Sequence, residues 1–356
     1  INATLQLDNS TFAYTGSGGQ GRMIDTGTLA LNGGTFRLRG APNLQTVENI
    51  GNIELGSAPG TLAVVRSTTG PANVTLNVAA INVPARTNAT NRGTLLLNST
   101  ANMLGVPTAA PFTNYERIVL TNGLGSLTRG GNTSNGSGVT LGGMLAPWII
   151  DSTNQTFVGY NAGSGGLYTG DVGFQPLLTT GTAQAQGQIG YSLNSVGTLG
   201  ATVNLIPTAS DIVNLTGAST VVSGGTSVYA LRLAAGTLTG GSLSLTSGGL
   251  IYAGNSASDV ISSTLIASGG SGELLLYTPN SVAGFSLASQ IYAIGLTKFG
   301  PGDMKLSGDN RGTLTGPVVV MSDTGASWFR LNNAFALGGS VTNPYQAGND
   351  LYLSGG

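Results

Sequence analysis

The sequence of 356 residues contains no cysteine and no histidine. The chain therefore has no thiolate nucleophile, no disulfide, no imidazole base and no cysteine–histidine zinc site. We predict no catalytic, metal or cofactor site and expect that the protein is not an enzyme. A chain of this size without disulfides must draw its stability from extensive backbone pairing.

Charged residues are also scarce, at 8% of the chain against roughly 25% in typical globular domains. The 13 basic residues are scattered, and only Lys298 and Lys305 are lysines. No basic stripe is present to neutralise a phosphate backbone, which argues against nucleic acid as a partner. No apolar run approaches the ~20 residues of a membrane helix, so we expect no membrane insertion of this chain.

Apolar residues make up 40% of the chain, glycine contributes 58 residues, and the net charge is −1. Disordered chains combine low hydrophobicity with high net charge, so this chain is expected to fold. Its surface must consist largely of Thr, Ser, Asn, Gln and Gly, a composition typical of secreted β-proteins. Because the chain begins at Ile1 rather than Met, we also expect a processed or trimmed piece.

Short runs in which apolar and polar residues alternate recur along the chain, and each is closed by Gly, Asn or Ser. Such alternation between turn residues predicts β-strands. The clearest runs are 28–32, 61–65, 74–78, 94–98, 242–246 and 273–277. Residues 228–235 are the best candidate for a helix but fit a strand equally well. We therefore predict an all-β protein without a long helix.

Gly-Thr-Leu triplets recur at intervals of 33 residues and begin at Gly27, Gly60 and Gly93. Repetition at 20–50 residues is typical of solenoids and propellers. We predict a parallel β-helix (β-solenoid) whose stacked rungs share backbone hydrogen bonds, with Leu29, Leu62 and Leu95 on adjacent rungs. A propeller would show a steadier period with an aromatic signature, and an antiparallel sandwich would show more Asn-Gly or Asp-Gly hairpins.

Residues 104–178 depart from the pattern, with several prolines and the polar stretch 130–138. We predict a non-repeating excursion anchored by the aromatic residues Trp148, Phe157, Tyr160 and Tyr168. The alternative is that these rings stack on a sugar. The solenoid is accordingly expected to comprise 1–205, which carries the excursion, and 206–356.

Residues 295–308 read GLTKFGPGDMKLSG and continue DNRGTLTGPVVV. This stretch resembles the passenger-associated repeat of autotransporter-type proteins, although Met304 replaces a leucine and Leu314 an aromatic residue. The positions of 295–316 that fit the repeat are Leu296, Thr297, Lys298, Gly300, Gly302, Leu306, Ser307, Gly308, Asn310 and Gly316. Residues 127–160 and 228–290 resemble large repetitive bacterial surface proteins. The resemblance implies a secreted or surface-displayed β-helical passenger, commonly an adhesin or a fibre.

Acidic and basic residues gather in the C-terminal part of the chain: Asp303, Asp309, Asp323, Lys305, Arg311 and Arg330. Such carboxylates would suit a glycan-cleaving β-helical enzyme or a calcium site. We predict instead that Asp309 and Asn310 cap a turn, and that Asp303 and Lys305 form an exposed pair.

Two further patterns are weaker. Residues 16–21, GSGGQG, match the glycine spacing of dinucleotide sites, but a strand-like run follows them, which favours a simple turn. Asn-x-Ser/Thr triplets such as the one at Asn214 are expected by chance in this composition and imply no glycosylation.

We therefore hypothesise an extracellular structural or adhesin-type β-solenoid that forms or decorates a bacterial surface fibre. The alternative is a β-helical polysaccharide-binding or polysaccharide-cleaving protein, with a surface glycan as its ligand. Strand-like runs at both ends predict head-to-tail self-association or continuation in a longer chain, with junctions around Ala3–Leu7 and Leu351–Leu353.

Overall fold

The computed structural model describes residues 3–10, 23–83, 86, 91–100, 104–105, 114–125, 127, 130–131, 133–134, 143–161, 172–179, 189–199, 206–268, 272–280, 284–322, 328–339 and 350–354. The chain forms two compact units. Unit 1 comprises Ile1–Ala85, Gly93–Arg129 and Ser134–Gly190, and unit 2 comprises Arg86–Arg92, Gly130–Thr133 and Tyr191–Gly356.

The described residues form thirty β-strands and no α-helix, and most strand pairs are parallel, which confirms an all-β protein. None of the residues that the structure describes belongs to a helix long and apolar enough to cross a membrane. The strands are β1 (Thr4–Asp8), β2 (Leu29–Leu31), β3 (Thr35–Arg39), β4 (Gln45–Ile50), β5 (Ile53–Leu55), β6 (Gly60–Val65), β7 (Asn73–Val78), β8 (Ile81–Asn82), β9 (Leu95–Ser99), β10 (Glu116–Leu120), β11 (Thr133–Ser134), β12 (Ile149–Asp151), β13 (Thr156–Asn161), β14 (Gly173–Pro176), β15 (Gly190–Tyr191), β16 (Leu193–Leu199), β17 (Ile212–Val221), β18 (Thr226–Leu233), β19 (Leu238–Gly240), β20 (Ser242–Tyr252), β21 (Val260–Ile261), β22 (Thr264–Ala267), β23 (Glu273–Tyr277), β24 (Phe285–Leu287), β25 (Ile291–Tyr292), β26 (Gly295–Phe299), β27 (Met304–Leu306), β28 (Val318–Met321), β29 (Phe329–Leu331) and β30 (Leu351–Ser354).

The runs of alternating residues form strands where the sequence predicts them. In β7, for example, Val74, Leu76 and Val78 are buried while the residues between them are half-buried. Successive side chains of a strand point to opposite faces, so this alternation places one apolar face in the core. The run at 228–235 is also extended, as part of β18.

Consecutive strands of unit 1 join three parallel sheets in rotation. Strands β2, β3 and β4 each enter a different sheet, and β5, β6 and β7 and then β8, β9 and β10 repeat the same order. The register aligns buried apolar residues across the strands: Phe36 is paired with Leu62, and Leu62 with Leu97. All three side chains are fully buried, so this sheet contributes a continuous apolar face to the core.

Leu29, Leu62 and Leu95 lie in three successive rotations of the chain through the sheets, but the prediction that they are equivalent positions is wrong. Leu29 lies in a different sheet, and Leu62 is paired with Leu97 rather than Leu95. The interval between paired residues also varies, from 26 residues between Phe36 and Leu62 to 35 between Leu62 and Leu97. The buried face sets the register of each pair, whereas the turns between strands vary in length.

The segment 104–178 departs from the repeating order less than predicted. Strand β10 pairs in parallel with β7, and β12 pairs in parallel with β9, so both extend the sheets of unit 1. Strands β13 and β14 then continue the sheet in antiparallel orientation.

Unit 2 repeats the same kind of order with shorter intervals. We call a series of successively paired strands a row. Strand β17 is long enough to belong to two rows, since Ile212–Leu215 pairs with β18 while Ser219–Val221 pairs with β19. One row runs through β17, β18, β20, β23, β26, β28 and β30. A single register position of this row contains Val213, Leu231, Leu250, Leu276, Lys298, Val320 and Leu353. All but the last of these side chains are buried, and Leu353 is 73% exposed.

Candidate functional site

Asp309, Asn310 and Arg311 form a tight turn after β27. The Oδ1 atom of Asp309 accepts a hydrogen bond from the N–H of Arg311 at 3.2 Å. Asn310 is fully buried; its Oδ1 accepts the N–H of Ile291 at 2.8 Å, and its Nδ2 donates to the Ala336 carbonyl at 2.7 Å. The Asp309 bond confirms that this side chain caps the turn, whereas the Asn310 side chain does not bond within the turn and joins it to chain segments on both sides.

The side chains of Asp309 and Arg311 form an ion pair at the surface. Arg311 Nε lies 2.9 Å and 3.0 Å from the two carboxylate oxygens of Asp309. Hydrogen bonds from Arg311 lower the pKa of Asp309, and the hydrogen bond to Asp309 raises the pKa of Arg311. The carboxylate is therefore ionised at neutral pH, where it can accept hydrogen bonds but cannot supply a proton.

This ion pair borders an open groove of about 580 Å³ that Ala288 and Gln290 also line. The guanidinium of Arg311 lies over the ring of Phe335, 4.4 Å from its centroid. The groove thus presents a carboxylate, a guanidinium and an amide in fixed positions. Such planar polar groups can bind the hydroxyl groups of a small polar ligand.

Asp303 is not half of an exposed pair, and that prediction is wrong. It is only 6% exposed, and its Oδ1 accepts the backbone N–H of Trp328 at 2.7 Å. The carboxylate thus holds the start of β29 beside the start of β27. Asp323 lies outside the described residues.

Two glycines of the 295–316 segment lie where the backbone of unit 2 leaves no space for a side chain. A Cβ atom at Gly308 would collide with the Ser289 carbonyl oxygen, and one at Gly316 would collide with the Ile294 carbonyl oxygen. Both glycines therefore lie where the backbone passes directly against the backbone next to the preceding strand of the same row. The motif marks close stacking of successive turns.

The aromatic residues predicted to anchor 104–178 lie in the interior of unit 1. Trp148 is 6%, Phe157 1% and Tyr160 3% exposed. The Tyr160 hydroxyl accepts the Leu120 N–H at 2.9 Å, and its ring meets Phe174 edge-on at 5.2 Å. These three rings are core residues, which excludes a sugar-stacking platform at their faces. Tyr168 lies outside the described residues.

A buried ionic cluster in unit 2 was not predicted. Glu273 begins β23 and is 1% exposed; Arg86 Nε and Arg92 Nη1 lie 2.9 Å and 3.1 Å from its carboxylate oxygens. The Thr297 hydroxyl also donates to Glu273. Gly295 is paired with Glu273 in the sheet, and the Arg92 guanidinium occupies the space that a Cβ atom would take there. Burial alone would raise the pKa of Glu273, but Arg86 and Arg92 lower it overall.

Two buried carboxylates of unit 1 also hold backbone in place. Glu116 accepts the N–H of Arg66 at 2.7 Å and of Thr100 at 2.6 Å, and burial raises its pKa. Asp151 accepts the Asn154 N–H at 2.8 Å, and burial raises its pKa to about 6. In both cases the carboxylate satisfies main-chain donors in turns.

The remaining sequence patterns add no further site. Asn214 is buried and bonded to Arg232 and Asn194 side chains, at 2.9 Å and 3.0 Å. Residues 16–21 lie outside the described residues. Among the residues that the structure describes, no group of three or more acidic side chains could hold a metal ion.

The described geometry therefore offers one surface groove with an ion pair and several interior carboxylates that serve the backbone. No protein-family model, curated protein or solved structure gives a significant match to this chain.

Proposed function

We propose that this chain is a structural, adhesin-type β-solenoid that lies outside the cell and forms or decorates a bacterial surface fibre. The observation that carries the proposal is the rotation of consecutive strands through three parallel rows, with apolar residues aligned between the paired strands of a row. In a solenoid each coil contacts its neighbours and buries a continuous apolar column, so the coil stack itself is a stiff scaffold.

The chemistry of the chain supports a scaffold rather than a catalyst. Glu273 is bonded to arginine side chains, and Glu116 and Asp303 are bonded to main-chain N–H groups, so these buried carboxylates have structural partners. The low charge content and the resemblance of 295–316 to the passenger-associated repeat favour an extracellular location. Antibody labelling of intact cells of the source bacterium tests this location, and labelling only after lysis would contradict it.

Strands β1 and β30 are the surfaces at which a second copy would add. Among the strands that the structure describes, each is the last one of its sheet, and each exposes aliphatic side chains: Leu5 is 49% exposed and Leu353 73%. Leu5 is paired with Phe36 and Leu353 with Val320, and both of these partners in the neighbouring strands are buried. An edge strand with an apolar face is a template for adding another strand, and head-to-tail addition that does not close gives a filament.

Electron microscopy and sedimentation of the purified chain test the proposal together. We expect rods that lengthen with protein concentration, and loss of this lengthening in Leu353→Lys. The matched control is Ile206→Lys, which places the same charge on a residue that is 62% exposed elsewhere in unit 2. Globular particles at all concentrations would contradict the scaffold, and equal assembly of both variants would contradict the β30 junction.

The groove beside Asp309 and Arg311 favours one alternative, a polysaccharide-binding or polysaccharide-cleaving protein. A panel of acidic and neutral glycans, analysed for cleavage products, distinguishes the two functions. Cleavage that is lost in Asp303→Asn or Asp309→Asn would replace the structural proposal with the enzymatic one.

A further inference from the structure

Two cationic side chains lie next to each other on the β27–β29 face of unit 2. Lys305 and Arg330 are directly paired in the parallel register of these strands. Their neighbours Met304 and Leu306 are buried, whereas Lys305 is half-buried and Arg330 is exposed, so both project away from the core. Adjacent strands lie about 4.8 Å apart, which places two like charges side by side.

The described residues do not neutralise this pair through ion pairs. Asp309 is bonded to Arg311, and the buried Asp303, two residues before Lys305, accepts the Trp328 N–H. No carboxylate among the described residues lies within salt-bridge distance of Lys305 or Arg330. Like charges directly opposite each other destabilise a sheet, and an anion bound between them removes that repulsion.

An aromatic ring completes this surface. The guanidinium carbon of Arg330 lies 4.7 Å from the centroid of the Trp328 ring, and Trp328 is 36% exposed. The Asp303 carboxylate fixes the Trp328 backbone through the 2.7 Å bond. A ring with a fixed backbone, half open to solvent, offers an apolar surface beside the two cations.

We propose that Lys305, Arg330 and Trp328 form a binding site for a carboxylate-bearing sugar of an acidic polysaccharide. The sugar carboxylate pairs with Arg330 and Lys305, because a guanidinium binds a carboxylate through two parallel hydrogen bonds. The apolar face of the sugar ring packs on Trp328. Two cations suffice for a single carboxylate, whereas a nucleic acid backbone requires many more phosphate contacts.

This inference rests on the proposed adhesin-type function and names the class of ligand that the adhesin would bind. The probes are oligogalacturonate and an oligogalactose of equal length, which differ in the carboxylate at C6. We expect calorimetric binding of the acidic oligomer at low salt and no measurable binding of the neutral one. Loss of one charge-assisted hydrogen bond predicts about tenfold or more weaker binding for Arg330→Gln and for Lys305→Gln. Trp328→Ala should weaken binding similarly.

The matched control is Arg37→Gln, which removes an exposed arginine from a strand of unit 1. It should leave the affinity unchanged, and circular dichroism should show that all variants are folded. The site would be overturned if the neutral oligomer or single-stranded DNA bound as tightly as oligogalacturonate, or if Arg330→Gln bound oligogalacturonate as tightly as wild type. Failure of wild type to bind oligogalacturonate would also overturn it. Electron microscopy of the same samples separates the two proposals: rods that do not bind refute the site, and globules that bind refute the scaffold.

Discussion

Replacing Glu273 by Gln should destabilise unit 2 strongly, because the change removes the charge of a carboxylate that forms ion pairs with two buried guanidinium groups. The side chains of Arg86 and Arg92 are only 9% and 4% exposed. Removing one member of a buried ion pair costs about 3–5 kcal/mol of unfolding free energy. We expect Glu273→Gln to reach at least this range, because one carboxylate serves both arginines.

The assay measures hydrogen exchange of the β23 and β26 amides by mass spectrometry. Urea unfolding of the same variants is measured in parallel. Two compact units need not unfold in one step, so a probe located in unit 2 is required. The lowered pKa of Glu273 adds a pH signature. The carboxylate contributes stability above its unfolded pKa, and this contribution disappears as the pH falls through the folded pKa. Wild type and Glu273→Gln should therefore converge in acid.

A triple variant separates the charge effect from loss of packing. Arg86→Met, Arg92→Met and Glu273→Leu together replace the cluster by apolar side chains, which is commonly neutral or stabilising for buried ion pairs. We expect the triple variant to be at least as stable as wild type at neutral pH. If Glu273→Gln alone left the exchange of β23 unchanged, the cluster would have no part in the stability of unit 2.

Three further predictions concern the interior. Burial raises the pKa of Asp151 to about 6, so the carboxyl group of Asp151 holds its proton more tightly in the folded than in the unfolded state. The free energy of unfolding should therefore fall by about 3 kcal/mol as the pH rises from about 4 to 6. Asp151→Asn should abolish this fall in urea midpoints measured against pH, and the same pH dependence in the variant would refute the prediction. Gly316→Ala should lower the thermal midpoint far more than Gly224→Ala, because a Cβ atom collides with backbone at Gly316 but meets nothing within 4 Å at Gly224; equal shifts would contradict close stacking. Leu95→Asp should prevent folding or cost several kcal/mol, since Leu95 is fully buried, and a soluble variant with wild-type circular dichroism would show that this position is not core.

The sequence predicts the strands well because each strand carries its own local signal. Alternation in 74–78 and 242–246 falls within β7 and β20. The turn at Asp309 is likewise local, since its side chain bonds to the backbone two residues on. Turn chemistry and period-two patterns need no knowledge of distant segments.

Pairing partners and interior charges could not be predicted, because they depend on segments far apart in the chain. Arg86 and Glu273 are separated by 187 residues. The only local signal is that Glu273 opens an otherwise apolar strand, ELLLY, where an acidic residue requires a partner. Lys298 is a similar case: it occupies an interior position between Leu276 and Val320, and its Nζ donates to the Gly300 carbonyl at 2.7 Å.

The unequal spacing of paired strands bears on how such a gene can change. Paired residues are 18 positions apart at Val213 and Leu231 but 54 apart at Leu96 and Ile150. Insertions and deletions in the intervening turns alter the outer surface without shifting any ladder. A one-residue change within a strand, in contrast, turns its apolar side outward. Length variation among descendants of this gene should therefore accumulate between strands, and foreign peptides grafted into the exposed turn 68–71 between β6 and β7 should leave the core intact.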